Sequence, residues 1–227
     1  MQLLAATGVE DLLQIDVVEC LETFKQAKIK TWMLTGDKGS TAKMIGISCG
    51  LFSQHENEAA EKITLDNDTL KESEENLKNI CVGFGFKSTA VNQSQPEPLV
   101  TYLGKDLELM LSGKSFTLLN SNPEMHEILN LVLSNAAAVI LFRSSPKEKA
   151  EIVKFIKRFH PNKVALSIGD GANDVNMIQT AHIGVGIYGK EGNQAAAFAD
   201  YAIFEFRHLR RLVFWHGRHF GCRVSDF

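Results

Sequence analysis

The sequence predicts a parallel α/β fold with helices on both faces of the sheet, and three observations predict it. Short apolar runs alternate along the chain with segments whose apolar residues recur every three or four positions. One run, Val164-Ala165-Leu166-Ser167-Ile168, is nearly continuous, as a strand covered on both faces reads. Two runs end in a Gly-Asp turn, Thr35-Gly36-Asp37-Lys38 and Gly169-Asp170-Gly171-Ala172-Asn173-Asp174. Open α/β sheets bind ligands outside the carboxyl ends of their strands, so these turns are the first candidates for a site.

Taken in order, Leu3 to Ala6 reads as a strand closed by Gly8. A segment opening at Asp11 carries Leu13, Val17, Leu21 and Phe24 on one helical stripe. Ile29 to Leu34 is a strand, and the helix from Ser40 to Cys49 stops at Gly50. From Ser53 to about Pro98 glutamate, lysine and asparagine dominate, which reads as a surface insertion, partly disordered. Leu107 to Leu111 and Phe116 to Leu119, separated by Ser112-Gly113-Lys114, suggest a hairpin. A helix from Pro123 to Ser134 precedes the strand Ala137 to Phe142, and Arg143-Ser144-Ser145-Pro146 starts the next helix with proline in its first turn. After Val164 to Ile168 come the helix Val175 to Thr180 and the strands Ile183 to Ile187 and Tyr201 to Phe204. A basic amphipathic helix, Arg207 to Arg223, closes the series.

Composition narrows the function. With 227 residues, 44% hydrophobic and 22% charged, the chain can bury a sizeable core. A net charge of −3 gives no nucleic-acid footprint, so no nucleic-acid partner is expected. Cys20, Cys49, Cys81 and Cys222 lack metal-ligand spacing and fit reduced cytosolic thiols. No apolar run is long enough to span a bilayer.

The chemistry gathers at three places. Asp170 and Asp174, with Asn173 between them, are hard oxygen donors suited to Mg²⁺ at a strand end. The hydroxyl of Thr35 and the amides that follow it could hold a phosphoryl oxygen; an ST-turn or helix cap is the plainer reading of an isolated Thr-Gly-Asp. Lys149, six residues after Arg143, offers an ammonium to a transferring phosphoryl group, although a lysine on a helix is ordinarily solvated.

Thr35-Gly-Asp-Lys38, Arg143-Ser-Ser-Pro-Lys-Glu-Lys149 and Gly169-Asp-Gly-Ala-Asn-Asp-Val-Asn-Met-Ile-Gln179 stand in the order found in the haloacid-dehalogenase-like phosphorylation domain of P-type ATPases, which the chain resembles. Val9-Glu-Asp-Leu-Leu-Gln14, Gly184-Val-Gly-Ile-Tyr-Gly-Lys-Glu-Gly-Asn-Gln194, Ala199-Asp-Tyr-Ala-Ile203 and His216-Gly-Arg218 narrow the resemblance to the phospholipid-transporting, type IV (flippase) branch. It covers Leu3 to Phe52 and Leu107 to Arg218. It implies a haloacid-dehalogenase-like sheet divided between residues 1–52 and 107–206, with a polar insertion over 53–106 and a basic juxtamembrane helix over 207–227.

Position by position, the resemblance implies that Thr35 and Gly36 bind the phosphoryl group and Asp37 arranges nucleotide and metal. Arg143 reaches the nucleotide ribose and phosphates, and Lys149 stabilises the transferred phosphoryl. Asp170 ligates Mg²⁺, and Asn173 and Asp174 complete the phosphate and metal network. Mg²⁺ as cofactor and ATP as substrate follow, with a membrane-embedded parent that acts on phospholipid, room for an accessory subunit, and this segment on the cytosolic side.

One part of the pattern is missing. The family's nucleophile is the aspartate of an Asp-Lys-Thr-Gly-Thr string, which occurs nowhere in these residues. Asp37-Lys-Gly-Ser-Thr41 lacks the Thr-Gly step, and Leu65-Asp-Asn-Asp-Thr69 has its threonine one place early and follows the Thr35 motif instead of preceding it. The sheet is therefore expected to lack its central strand, between the strands ending at Thr35 and Asp170, and the isolated chain is expected to be inactive. A soluble phosphatase of the same superfamily and a non-catalytic short relative that binds Mg²⁺ or a partner chain are the competing readings.

Overall fold

A computed structural model describes residues 12–54, 60–86, 104–189 and 193–225. Seven strands are described, all parallel to their neighbours. β1 (Trp32–Leu34), β2 (Ala60–Leu65), β3 (Asp106–Ser112) and β4 (Ala138–Phe142) form a sheet in the order β1-β4-β3-β2. β5 (Leu166–Gly169), β6 (Ile183–Ile187) and β7 (Tyr201–Ile203) form a second, in chain order. Parallel pairing requires crossovers, and helices supply most of them. The parallel α/β expectation holds, but in two sheets. Among the described residues β1 pairs only with β4 and β5 only with β6, so each sheet ends on the strand that leads into a candidate loop. The strand expected at Leu3 to Ala6 lies outside the described residues.

The first sheet is covered on both faces. On one face α3 (Leu70–Gly83), α4 (Gly113–Ser121), α5 (His126–Asn135) and α6 (Pro146–Phe159) bury Leu77, Phe116, Leu129 and Phe155 against Leu109 and Leu141. On the other, α2 (Gly39–Ser48) sets Ala42 beside Met110, Ile140 and Phe142. That helix sits close because Gly46 has no side chain, and a Cβ there would come within 2.5 Å of Ile140. The second sheet has a thinner cover. Cys20 and Phe24 of α1 (Val17–Gln26) and Leu209 of α9 (His208–Arg211) pack on Val185, Ile187 and Ile203. On the opposite face lie α7 (Val175–Thr180) and α8 (Gln194–Ala197).

Three expectations need correction. Residues 60–86, read as polar surface, hold β2 and α3, whose Leu65, Leu77, Ile80 and Cys81 are core residues. Leu107 to Leu119 is a strand followed by a helix: the Ser112 hydroxyl accepts from the Ser115 amide as an N-cap, and Phe116 and Leu119 fall on one helical face. The first helix begins at Val17, leaving Leu13 41% exposed. The expected tail helix runs through α9, a π-helical stretch (Leu212–Gly217) and α10 (Arg218–Ser225), with Trp215 and Phe220 exposed. Among the described residues no helix is long and apolar enough to cross a membrane.

Candidate functional site

One apolar cluster joins the end of β1 to the helix that follows the second candidate loop. Leu34, the last residue of β1, packs with Val153 of α6 against Met177 and Ile178 of α7. Thr35 therefore follows a residue anchored on the helix that follows Asp174. In the first sheet the chain leaves β1 for the far edge and returns through β3 to β4. The crevice beyond the carboxyl ends of β1 and β4 is thus a topological switch point, the usual place for a ligand.

Lys149 is not the solvated lysine that its position suggests. α6 begins with a capping box in which the Glu148 amide donates to the Ser145 hydroxyl at 3.3 Å and the Ser145 amide donates to Glu148 at 2.7 Å. Glu148 also accepts from Thr117 of α4, so the first turn of α6 is fixed in rotation. Lys149 then points inward, and its Nζ donates to Asp174 Oδ1 at 2.9 Å, the side chains being 11% and 15% exposed. Removing either partner of such a pair strands the other charge in a mostly buried place.

The loop after β5 is shaped by one close contact. A Cβ on Gly169 would lie 2.4 Å from the Cβ of Asp174, so a glycine is required for Asp174 to fold back over the strand end. Neither Gly169 nor Gly171 has positive φ; the need is for room and not for an unusual backbone. A 3₁₀ turn, Ala172–Asp174, leads into α7. Asp170 is exposed, and neither its carboxylate nor the Asn173 side chain has a partner among the described residues. No group of three or more His, Cys, Asp or Glu placed to hold a metal occurs there either. Mg²⁺ commonly takes only one or two carboxylates and keeps several waters. The residues fit it on those terms, with Asp170 free and Asp174 half engaged by Lys149.

Thr35 is held locally. Its hydroxyl donates to Asp37 Oδ2 at 2.9 Å and accepts from the Asp37 amide at 3.1 Å, so the plain ST-turn is what the isolated fold adopts. The turn is tied to the end of β4 by Arg143 and Ser144, whose amides donate to the carbonyls of Asp37 and Thr35. Arg143 does this with φ of 48°, the left-handed region that a non-glycine residue seldom adopts. Its guanidinium pairs with Asp66 at 3.2 Å. Asp68 pairs with Lys114, which holds its carboxyl below the usual range, and Thr69 caps α3. The Leu65 to Thr69 string thus serves turn and pairing roles.

The fold brings Lys149 and Asp174 into contact, and it joins Thr35, Asp37 and Arg143 through backbone bonds. Sequence reasoning missed Ser144 and Asp66. It also missed the capping box, although Ser-x-x-Glu at Ser145 carried that signal.

A parallel α/β fold with a Thr-Gly-Asp turn and a Lys149–Asp174 pair at its strand ends is shared by many proteins, and comparison with known sequences is more specific. No family model matches the chain. It is 42% identical over 98% of its length to phospholipid-transporting ATPase DRS2 of Saccharomyces cerevisiae, of which it spans 15%. It is 35% identical over 99% of its length to phospholipid-transporting ATPase IH of Mus musculus, spanning 19%. Against probable phospholipid-transporting ATPase 11 of Arabidopsis thaliana the identity is 39% over 99%, again spanning 19%. The chain is similar to one segment of these phospholipid-transporting ATPases and spans less than a fifth of their length.

Proposed function

We propose that this chain is the carboxy-terminal part of the haloacid-dehalogenase-like phosphorylation domain of a lipid flippase. In that reading it contributes phosphoryl and Mg²⁺ binding to the formation and hydrolysis of an aspartyl-phosphate whose aspartate lies outside these residues. The observation that carries the reading is the pair of parallel sheets ending on β1 and β5, with the Thr35 turn, the Lys149–Asp174 pair and the free Asp170 at the carboxyl ends around that seam. The central strand that the family resemblance implies would pair with those two edges.

Phosphoryl transfer asks a protein chiefly for positioning and charge neutralisation. Thr35 and the Gly36 amide offer donors to the phosphoryl oxygens once the Thr35 hydroxyl leaves Asp37. Lys149, held in place by Asp174, supplies the fixed positive charge. Arg143 turns from Asp66 toward the nucleotide. Mg²⁺, when bound at Asp170, supplies further neutralisation of phosphoryl charge, and Asn173 and Asp174 complete that network. In this reading the parent is a membrane protein acting on phospholipid with ATP as its substrate, and this segment lies on its cytosolic side with the tail helix near the membrane. The phosphatase alternative has little support, since Asp66 and Asp68 are both engaged by cations.

Calorimetry on the whole chain tests the reading. Mg²⁺ is expected to bind and Asp170→Asn to abolish the heat; equal binding by both proteins would remove Asp170 from the site. Radioactive ATP is expected to leave no acid-stable, hydroxylamine-sensitive label, and such a label would show that the chain has a nucleophile of its own.

A further inference from the structure

We propose that Ser144 is a positioning residue that aims the Gly36 amide at the phosphoryl group, an inference that rests on the phosphoryl-binding reading above. Ser144 is 5% exposed, and both of its donors reach one acceptor: its amide donates to the Thr35 carbonyl at 3.0 Å and its hydroxyl at 2.8 Å. In an extended strand successive amides point to opposite edges. The left-handed backbone of Arg143 breaks that alternation, so the amides of Arg143 and Ser144 both face the Thr35 turn, the first donating to the Asp37 carbonyl at 2.8 Å. Thr35 is fixed from its other side by its own amide, which donates to the Leu141 carbonyl at 2.8 Å.

The consequence follows from peptide planarity. The Thr35 carbonyl and the Gly36 N–H belong to one trans peptide and point in opposite directions. Two donors on the carbonyl therefore fix the direction of the N–H, away from Ser144. Among the described residues that N–H has no acceptor, whereas the Thr35 hydroxyl and the Asp37 amide are committed to each other. Gly36 thus offers the ready donor of the turn, and the Ser144 hydroxyl is the side-chain group that sets its aim.

The test is nitrogen-15 NMR of the whole chain titrated with inorganic phosphate in the presence of Mg²⁺, following the Gly36 amide. In the unaltered chain that resonance is expected to move, and Ser144→Ala is expected to weaken phosphate binding about threefold to tenfold, the range set by one hydrogen bond. Ser144→Thr, which keeps a hydroxyl, should restore affinity, and thermal melting of each variant separates positioning from loss of fold. If Ser144→Ala does not fold, Ser144→Cys replaces it, with weakened binding expected. Equal affinity in the altered and unaltered chains, or no rescue by threonine, would overturn the role of Ser144 alone. A Gly36 amide that ignores phosphate in the unaltered chain would overturn the phosphoryl reading and this inference together.

Discussion

The two sheets differ in how fully they are enclosed. Every residue of β4 is buried, with β1 and β3 on its edges and helices on both faces. In β5 only Ser167 is buried; Leu166, Ile168 and Gly169 keep partial exposure, and one edge has no strand partner among the described residues. The first sheet holds the fold together. The seam between β1 and β5 is where backbone and apolar surface are left available, and the Thr35 turn and Asp170 follow its two strands, whereas Arg143 follows β4 and turns to Asp66 beyond β2. Stability and chemistry are thus assigned to different parts of one short chain.

Truncating one side chain in each sheet tests that division most directly. Leu141→Ala, in a site with no exposed surface, is expected to cost about 4 kcal/mol, within the range for a leucine removed from a close-packed core. Ile168→Ala should cost about half as much, because part of that side chain already meets solvent. Urea denaturation of both variants decides it. Equal costs would mean that β5 is as enclosed in solution as β4.

At the seam, Lys149→Ala strands the Asp174 carboxylate in a mostly buried place and is expected to cost about 3 kcal/mol. Replacing both partners, Lys149→Met with Asp174→Leu, should recover most of that loss, since it leaves no charge unpaired. A single variant within measurement error of the parent would show that the pair is solvated, and Lys149 would lose its claim to a fixed charge.

Much of this was legible in the residues. The β4 and β5 runs, the proline-led start of α6 and the Gly-Asp turns stand out because continuous apolar strands and strand-end glycines have few alternatives. The stretch 60–86 did not, for a physical reason. β2 is an edge strand, so Glu61 and Lys62 sit among its apolar residues. α3 keeps Leu77, Ile80 and Cys81 on one stripe, but charged and polar residues fill most of its other positions. Periodicity was present and charge concealed it. At the site, residue types announced Lys149 and Asp174, whereas the Ser144 clamp depends on the left-handed backbone of Arg143, which no local sequence signal gives away.

The start of α6 gives a smaller effect. Ser145→Ala removes the hydroxyl that accepts from the Glu148 amide and should cost about 1 kcal/mol. Because Glu148 also orients the turn that aims Lys149, a concurrent shift of the Lys149 side-chain resonances in NMR is expected. Loss of stability without that shift would mean that Lys149 takes its direction from Asp174 alone.

The smallest effect lies away from the seam. His160, at the end of α6, has its ring Nε2 2.7 Å from the Ser134 hydroxyl, and its pKa is lowered first by burial and then by the nearby charges of Lys163 and Lys30. The unfolded chain therefore takes up this proton at a higher pH than the folded chain does. The contribution of His160 to stability is complete above the ordinary imidazole value, about 6.5, and is lost as pH falls through the lower folded value. The NMR titration midpoint of His160 is expected below that of an exposed histidine, and Lys163→Gln should raise it part of the way back. Burial is the larger cause, so the return should be incomplete. Full recovery in Lys163→Gln would mean instead that charge repulsion alone depresses the group.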